Sequence, residues 1–393
     1  MSQLLLCRTF PPTVGGIERY VSELFQKAHV DVHVLAPRVP NAIGFDKAFP
    51  HPVTRFPVIP LWRRGKGPLL PMAAWAAALV ARKRPRVVYS DQVQTGAVGV
   101  PLSRITGVPH VTFAYGIELT PSRLYRLKRR VFSSSAFILA ISTFAKDALV
   151  SVYGIDPEMI ALARPGVDTD RFAPDAGGAA QRRRMGLKST DLVLLTVGRL
   201  DPSQRYKGYD RLIRLMRRLQ PEFPQLRLLV VGDGDDRAWL KTLASEERVT
   251  SQVMFAGRVG EDELPNMYRV ADLFVLPSGA PDTDPFCVEG YGIVFAEASA
   301  SGVPSVAYRL GGTADAIVDG VTGVLTDATE NAFCGAVRDL LSDRERRLKM
   351  GQAARQHALR ALVWDAAVAT LRRVSACLEG GTFRKSRTLT EPL

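Results

Sequence analysis

The sequence has few cysteines and no apolar run long enough to cross a membrane, and each shortage excludes a class of protein. The four cysteines are widely scattered among 393 residues: Cys7, Cys287, Cys334 and Cys377. Because they form no Cys-x-x-Cys pair or Cys/His cluster, they support neither a zinc site nor a disulfide framework, and a reducing cytoplasm fits. The longest apolar stretch, Leu69 to Ala81, has 13 residues and an internal proline. It is too short for a bilayer, so we expect a buried helix.

A secretory signal is also missing from the start of the sequence. Gln3 to Cys7 instead predicts a first strand that runs directly into a loop of prolines and glycines. At 393 residues the chain is too long for one ordinary hydrophobic core and suits two domains. With 46% hydrophobic and 23% charged residues, its composition is typical of soluble globular proteins.

Acidic residues are scarce in the first half of the chain. Residues 1–180 hold 22 Lys and Arg against 12 Asp and Glu, whereas the remainder holds 30 against 27. The basic excess lies in three clusters: Arg63–Lys66, Arg82–Arg86 and Arg123–Arg130. With Trp62, Trp75 and Tyr125 nearby, the clusters suit an anionic membrane surface, and ordinary solvated arginines are the alternative. No nucleic-acid-binding motif accompanies them, so we expect no nucleic acid partner.

The order of predicted elements indicates the fold class. Short β-branched runs alternate with longer helical patterns, which predicts parallel α/β layers with five strands in the first half and six in the second. We expect two doubly wound, Rossmann-like domains, residues 1–178 and 188–361, facing each other across a ligand-binding cleft. Residues 175–188 have the polar, basic composition of a linker. A helix over 362–378 is expected to pack back on the first domain, and 379–393 to be a disordered tail.

Glu289 and Glu297 bracket the segment that indicates the chemistry most directly. Glu289 lies in a loop rich in proline, aspartate and glycine, and Glu297 falls about one turn into a helix predicted over Ile293–Ala300. Free N–H groups at the start of that helix attract phosphate, whereas carboxylates accept hydrogen bonds from paired hydroxyls. A nucleoside diphosphate sugar carries both groups; a capped helix with two solvated glutamates is the alternative. Five intervening residues are candidate donor-binding residues: Gly290, Tyr291, Gly292, Ile293 and Val294.

A second candidate site follows the first strand of the second half. Gly198 and Arg199 end that strand, and Lys207 lies in the loop that leads to the next helix. This arrangement aims two cations at a diphosphate. Arginine and lysine in a loop are usually solvated, but their position beside the expected cleft favours diphosphate binding.

Three further patterns are weaker. Gly15 and Gly16 form a loop between the first strand and the first helix, where N–H groups could contact phosphate or a sugar, or simply make a turn. Gly232-Asp233-Gly234 begins like a dinucleotide fingerprint but lacks the third glycine, so it predicts a turn that caps the next helix. Three Asp-x-Asp strings lack a second acidic ligand set and fit turns, so we expect no required metal; they are Asp168/Asp170, Asp233/Asp235 and Asp282/Asp284.

A series of motifs in order along nearly the whole chain carries a family resemblance. The motifs are Gly15–Glu18, Ala140–Phe144, Pro165–Phe172, Val197–Leu200, Lys207-Gly208, Val231–Gly234, Ala271–Ser278, the two-glutamate segment, and Gly311-Gly312 before Asp319–Gly323. In their order and spacing they resemble the retaining glycosyltransferases of family 4, group 1 glycosyl transferases with the GT-B fold. The resemblance implies that fold and an enzyme of the hexosyltransferase class.

The resemblance also assigns roles to the candidate residues. It implies that Arg199 and Lys207 hold the donor diphosphate and neutralise the leaving group. Glu289 then binds hydroxyls of the transferred sugar, Glu297 binds the ribose hydroxyls, and Arg258 lies beside the nucleobase. Retention in this family is attributed to front-face attack, so catalysis rests on positioning and charge stabilisation.

The resemblance places acceptor and phosphate contacts in the first half. The Gly15–Gly16 loop is implied to lie beside phosphate and acceptor. Where the family often has His-Gly, this chain has Tyr115-Gly116, followed by Glu118. A tyrosine hydroxyl has a pKa near 10, which makes it a poor proton shuttle at neutral pH. An essential imidazole is therefore not expected here.

The expected reaction moves a hexose from a nucleotide sugar to a hydroxyl of a glycan or lipid-linked acceptor, with no cofactor because the nucleotide sugar is a substrate. Gly292–Ala298 and Gly311–Ile317 look closest to mannosyltransferase-like members that use GDP-mannose. A UDP-sugar enzyme of the same fold and a non-catalytic nucleotide-sugar-binding protein are the alternatives. The expected location is the cytoplasm, where the protein could attach peripherally to the inner face of the membrane.

Overall fold

A computed structural model describes residues 3–58, 69–116, 119–120, 124–175, 177–279 and 287–380. The chain forms two compact units, Met1–Pro165 with Trp364–Leu393, and Gly166–Val363. The sequence places the end of the first domain at 178, whereas the structure places the division earlier, between Pro165 and Gly166. Each unit is an α/β structure built on one parallel sheet.

The first unit has a sheet with strand order β3-β2-β1-β4-β5-β6-β7. Its strands are β1 (Gln3–Leu6), β2 (Val32–Pro37), β3 (Val53–Phe56), β4 (Val87–Ser90), β5 (His110–Ala114), β6 (Phe137–Ala140) and β7 (Ile160–Leu162). Its helices are α1 (Gly16–Ala28), α2 (Ala42–Ala48), α3 (Leu69–Lys83), α4 (Val93–Thr106), α5 (Tyr125–Ser134), α6 (Thr143–Tyr153) and α15 (Asp365–Glu379). The strand order reverses between β1 and β4, as in doubly wound folds.

Hydrophobic patterning explains these elements. The central strands β1 and β4 are buried along their whole length, as expected of parallel strands covered on both faces. Helix α3 packs Met72, Ala76 and Val80 into the core beside Leu4 and Leu35. Its other side is exposed, so the helix that was expected to be buried is buried along one face only. Within the described ranges, no helix combines the length and apolar character needed to cross a membrane.

Helix α15 returns the chain to the first unit. The Tyr89 hydroxyl lies 2.8 Å from the Ser375 hydroxyl, and the Gln3 amide donates to Glu379 Oε1 at 2.9 Å. Just before the helix, the Trp364 ring stacks on Tyr20 with a centroid separation of 5.9 Å. These contacts tie α15 to β1, β4 and α1. Of the predicted tail 379–393, Glu379 ends the helix, and residues 381–393 lie outside the described residues.

The second unit has a sheet with strand order β10-β9-β8-β11-β12-β13. Its strands are β8 (Leu192–Val197), β9 (Leu226–Val231), β10 (Val253–Gly257), β11 (Leu273–Leu276), β12 (Ser305–Tyr308) and β13 (Gly323–Thr326). Its helices are α7 (Gly177–Arg184), α8 (Tyr209–Leu219), α9 (Arg237–Glu246), α10 (Leu264–Arg269), α11 (Ile293–Ala300), α12 (Thr313–Ala316), α13 (Glu330–Ser342) and α14 (Arg344–Ala361).

Some elements differ from the sequence-based expectation. The segment predicted as a linker, 175–188, contains helix α7, which is held by Arg182: its guanidinium donates to Asp272 at 3.1 Å and to the Asp191 carbonyl at 2.6 Å. The strands β3 and β7 were not predicted. Both are edge strands, and neither has the unbroken run of four buried residues that β1, β4 and β6 show.

Candidate functional site

The strand order of the second sheet reverses between β8 and β11, which are paired at its centre. Open α/β sheets bind ligands outside the carboxyl ends of their strands at such a reversal. The loop after β8 carries Gly198, Arg199 and Lys207, and the chain after β11 leads through Ser278 to Glu289. The topology therefore brings both halves of the predicted diphosphate and sugar site to one edge.

Lys207 and Glu289 form an ion pair there. The Lys207 ammonium lies 3.0 Å from Glu289 Oε1, and the two side chains are only 14% and 13% exposed. Burial is the largest single influence on the pKa of Lys207 and lowers it, but the charge and hydrogen bond of Glu289 together with the neighbouring Tyr206 give a net rise of that pKa. Ser278 donates a long hydrogen bond of 3.4 Å to the same carboxylate oxygen. The ammonium is thus kept charged in a partly dry site, where a charge interacts more strongly with an anion than it does in bulk water.

Arg199 supplies a second cation. Its side chain is exposed and has no ion-pair partner among the described residues. Gly198, just before it, has φ 159°, and a Cβ there would collide with the Tyr209 hydroxyl beside the Lys207 ammonium. Glycine is therefore favoured at 198, because a Cβ would collide with the Tyr209 hydroxyl and because side chains rarely adopt this backbone conformation.

Glu297 occupies a different environment from Glu289. It lies on α11 with 2% of its surface exposed, and the Tyr268 hydroxyl donates to its Oε2 at 2.7 Å. The two predicted glutamates thus share a segment but differ in burial and partners. Tyr268 was missed by the sequence analysis, because no pattern links a tyrosine on the short helix α10 to a glutamate 29 residues later.

The backbone between the glutamates is held by close glycine contacts. Gly292 caps α11 in the left-handed region at φ 83°, and the Gly312 N–H donates to the Glu289 carbonyl at 2.8 Å. A Cβ on Gly312 would collide with the Gly290 carbonyl. Tyr291 is buried, and the partly buried Ile293 and Val294 begin the helix. The candidate donor-binding segment is therefore a turn fixed directly onto the start of α11.

The remaining candidates lie further out. Arg258 is exposed just after β10, the edge strand two positions from β8. In the first unit, Gly15 is the N-cap of α1 with extended backbone, and Gly16 is its first residue. Glu118 lies outside the described residues.

Tyr115 is 5% exposed and belongs to an aromatic cluster. Its ring centroid lies 6.3 Å from Phe113 and 6.1 Å from Tyr20. The ring at the usual histidine position therefore packs in the core of the first unit.

Within the described ranges, no group of three or more His, Cys, Asp or Glu side chains is arranged to hold a metal ion. The strings at Asp168 and Asp233 instead make turn contacts: Asp168 accepts from the N–H of Asp170, and Asp233 lies 3.6 Å from Arg237. Asp282 and Asp284 lie outside the described residues.

Two protein-family models match the chain. The model described as Glycosyltransferase Family 4 covers residues 14–171, and the model described as Glycosyl transferases group 1 covers residues 179–357. A relative from Mycolicibacterium smegmatis, named GDP-mannose-dependent alpha-(1-6)-phosphatidylinositol monomannoside mannosyltransferase, is 33% identical over 92% of this chain and 94% of its own. A D-inositol 3-phosphate glycosyltransferase from Stackebrandtia nassauensis is 31% identical over 70% of this chain and 64% of its own.

Solved structures show the same fold. Anabaena Alr3699/HepE in complex with UDP and glucose has a TM-score of 0.80 and 21% identity, over 95% of this chain and 99% of its own. Sucrose-phosphate synthase from Thermosynechococcus elongatus has a TM-score of 0.81 and 20% identity, over 97% and 100%. At these identities the likeness establishes the fold.

Two doubly wound units and these relatives define a glycosyltransferase of the GT-B type. The chain belongs to the group 1 glycosyl transferases, with a first unit of Glycosyltransferase Family 4. The fold class, the enzyme class and the family expected from the sequence are thereby confirmed.

Proposed function

We propose that this glycosyltransferase moves mannose from GDP-mannose to a hydroxyl of a lipid-linked acceptor, with retention of anomeric configuration and without a metal ion. The observation that carries the proposal is the largely buried Lys207–Glu289 pair at the strand reversal, with the exposed Arg199 in the same loop as Lys207. The choice of donor and of a lipid-linked acceptor is supported by the M. smegmatis relative, whose name specifies GDP-mannose and a phosphatidylinositol mannoside.

In the proposed transfer step, one bond of the anomeric carbon is exchanged for another. The bond between the anomeric carbon and the diphosphate oxygen breaks, and a bond forms from the acceptor oxygen to the same face of that carbon. Lys207 and Arg199 neutralise the charge that develops on the leaving diphosphate, and a phosphate oxygen takes the proton of the acceptor hydroxyl. Because that charge is balanced by two protein cations, no metal ion is needed to perform this step.

The carboxylates orient the donor. Glu289 accepts hydrogen bonds from hydroxyls of the transferred sugar. Lys207, which pairs with Glu289 in the structure, then also donates a hydrogen bond to the diphosphate. Glu297, held by Tyr268, accepts the ribose hydroxyls. The N–H groups at the start of α11 face the diphosphate, since Gly290 and Gly292 allow close approach.

A panel of nucleotide sugars tests the donor. GDP-mannose should raise the melting temperature more than UDP-glucose, UDP-galactose or ADP-glucose, because only a ligand that binds the folded state stabilises it. Transfer should continue in excess EDTA. A larger shift with a UDP-sugar would select the alternative donor, and binding without any donor cleavage in the presence of acceptor lipids would indicate a non-catalytic binding protein.

We further propose that the first unit docks on an anionic membrane surface. Helix α3 packs on α4 and α4 on α5, so the basic residues that follow or belong to these helices share one layer. Exposed cations of this layer are Arg82, Lys83, Arg84, Arg86, Arg104, Arg126, Arg129 and Arg130, and its exposed apolar side chains include Leu70, Trp75 and Ile105. Exposed cations and exposed apolar side chains on one layer of helices suit an interface of lipid headgroups.

Two members of the predicted basic clusters do not serve this surface. Lys128 is buried and donates to the Thr120 carbonyl at 2.7 Å. Tyr125 stacks on Tyr153 at 5.2 Å and donates its hydroxyl hydrogen to the Val152 carbonyl, so its side chain is held within the first unit. Trp62 and the cluster Arg63–Lys66 lie outside the described residues.

A further inference from the structure

Arg211, in the first turn of α8, bridges the two loops that carry the candidate site. Its Nη2 donates to the Tyr206 carbonyl at 2.8 Å and to the Pro277 carbonyl at 2.5 Å. Tyr206 belongs to the loop after β8, and Pro277 is the first residue after β11. One guanidinium nitrogen therefore joins the loop after β8 to the carboxyl end of β11, the two strands between which the sheet order reverses.

Both carbonyls are adjacent in sequence to site residues. Lys207 follows Tyr206, and Ser278, which donates to Glu289, follows Pro277. The Tyr206 carbonyl also accepts from the Gly279 N–H at 2.7 Å, so it joins the two loops directly. The position of the Lys207 ammonium relative to Glu289 thus depends on a carbonyl that Arg211 holds.

The arginine is itself fixed in place. Its guanidinium lies over the Tyr308 ring, 5.7 Å from the centroid, and Leu215 and Phe333 line the same small pocket. Gly208 adopts φ 75°, and a Cβ there would collide with the Arg211 guanidinium. Glycine at 208 therefore leaves room for the Arg211 guanidinium and also permits the turn. These contacts on both sides restrict the movement of the guanidinium.

We propose that Arg211 is a positioning residue for glycosyl transfer, which sets the spacing of Lys207 and Glu289 by tying the loops after β8 and β11 together. It acts on two backbone carbonyls, so it reaches the donor only through these residues. The proposal rests on the proposed function, in which Lys207 contacts the diphosphate and Glu289 the transferred sugar. Arg211, on helix α8, would thereby join Lys207 and Glu289 as a residue on which the candidate site depends.

The test compares Arg211→Met with Arg214→Met. Methionine keeps aliphatic bulk against Tyr308 but leaves both carbonyls without the guanidinium. Arg214 lies on the same helix, has a half-exposed side chain, and pairs with Asp210 at 2.7 Å instead of with the two loops, so it is a matched control. Kd for GDP-mannose, kcat and the urea unfolding midpoint are measured for each. We expect Arg211→Met to lower kcat/KM by roughly tenfold, the effect of losing a charged hydrogen bond, and Arg214→Met to change it less than about twofold.

A double-mutant cycle separates positioning from general destabilisation. If Arg211 acts through Lys207, then Arg211→Met should weaken GDP-mannose binding in the parent protein but have little further effect in Lys207→Met. Equal effects in both backgrounds, or none in either while Lys207→Met is impaired, would overturn the proposal. Should Arg211→Met not fold, Arg211→Lys replaces it in the same cycle: its ammonium can donate to both carbonyls, so an intermediate loss is expected and full loss or none contradicts the proposal.

The same experiment distinguishes failure of the underlying function. If Lys207→Met binds GDP-mannose and UDP-glucose as tightly as the parent protein and transfers sugar at the same rate, then Lys207 is not a diphosphate ligand and the proposed site is wrong. If Lys207→Met is impaired and Arg211→Met is not, the site stands and only the positioning role of Arg211 is lost.

Discussion

Tyr268 donates its hydroxyl hydrogen to Glu297 Oε2 at 2.7 Å, with both residues buried in the second unit. The tyrosine ring packs edge-on against Phe172 with a centroid separation of 5.6 Å, and this packing fixes the position of the hydroxyl. A buried carboxylate needs hydrogen-bond donors to remain ionised, and a fixed donor also fixes its orientation. The glutamate proposed for the ribose hydroxyls is thus oriented by a residue that lies outside the motif.

Replacing Tyr268 with phenylalanine should weaken nucleotide binding. The ring packing is kept and one hydrogen bond is lost, so we expect Kd for GDP to rise about fivefold to tenfold, as for a loss near 1–1.5 kcal/mol. Calorimetric titration measures this directly. Tyr89→Phe, which removes a buried hydroxyl contact in the first unit, is the control and should leave Kd unchanged. An unaltered Kd in Tyr268→Phe would show that Glu297 does not depend on this bond.

The two glutamates should fail differently when truncated. Glu297→Ala should mainly raise Kd for the donor, whereas Glu289→Ala should mainly lower kcat, because Glu289 is the glutamate proposed to contact the reacting sugar. Each loss of a charged hydrogen-bond partner is worth roughly 1.5–3 kcal/mol, or at least about tenfold in kcat/KM. Glu345→Ala, on an exposed face of the same unit, serves as the control. Steady-state kinetics in which neither site variant loses tenfold in kcat/KM contradict the assignment.

Asp91 should give the first unit a distinctive dependence of stability on pH. Burial raises the pKa of Asp91 to about 7, against hydrogen bonds from Thr95 and the Arg8 N–H. The folded protein therefore retains a proton that the unfolded chain has released, and the free energy of unfolding falls as pH rises from about 4 to about 7, by at most about 1.4 kcal/mol per pH unit.

Urea denaturation at pH 5 and pH 7.5 tests this expectation. The parent protein should lose more stability over the interval than Asp91→Asn, which cannot titrate. The neutral amide keeps an oxygen that can accept from the Arg8 N–H, so this variant isolates the charge. Identical pH dependence in the two proteins would show that Asp91 does not titrate in this range.

Membrane docking should depend on the exposed arginines of the first unit. Changing Arg82, Arg126 and Arg130 to glutamine should reduce binding to anionic vesicles by tenfold or more, because each basic residue near such a surface contributes about 1 kcal/mol. The control changes three exposed arginines of the second unit, Arg183, Arg184 and Arg217. Co-sedimentation at low salt is the measurement, and equal recovery with neutral and anionic vesicles removes support for docking.

Much of the candidate site could be predicted because parallel strands end at one edge. Lys207 and Glu289 are far apart in sequence, yet each follows a central strand, and their pairing at 3.0 Å follows from that topology. Tyr268 and Arg211 could not be predicted, since each is defined only by packing between elements distant in the chain. Helix α7 was missed because its charged, glycine-containing sequence has no apolar stripe, and contacts from Arg182 hold it instead.

The return of helix α15 has a consequence for the order in which the two cores can form. The second unit, Gly166–Val363, is continuous in sequence, whereas the first requires residues from both sides of it. During synthesis, domains generally fold as they emerge, from the N-terminus onward. Here the ribosome synthesises the whole second unit before Trp364 and α15. Trp364 stacks on Tyr20, and Ser375 of α15 lies within hydrogen-bond distance of Tyr89. The first unit is therefore the first to begin and the last to be completed. The side of it that carries Tyr20 and Tyr89 stays open to solvent until α15 has been synthesised.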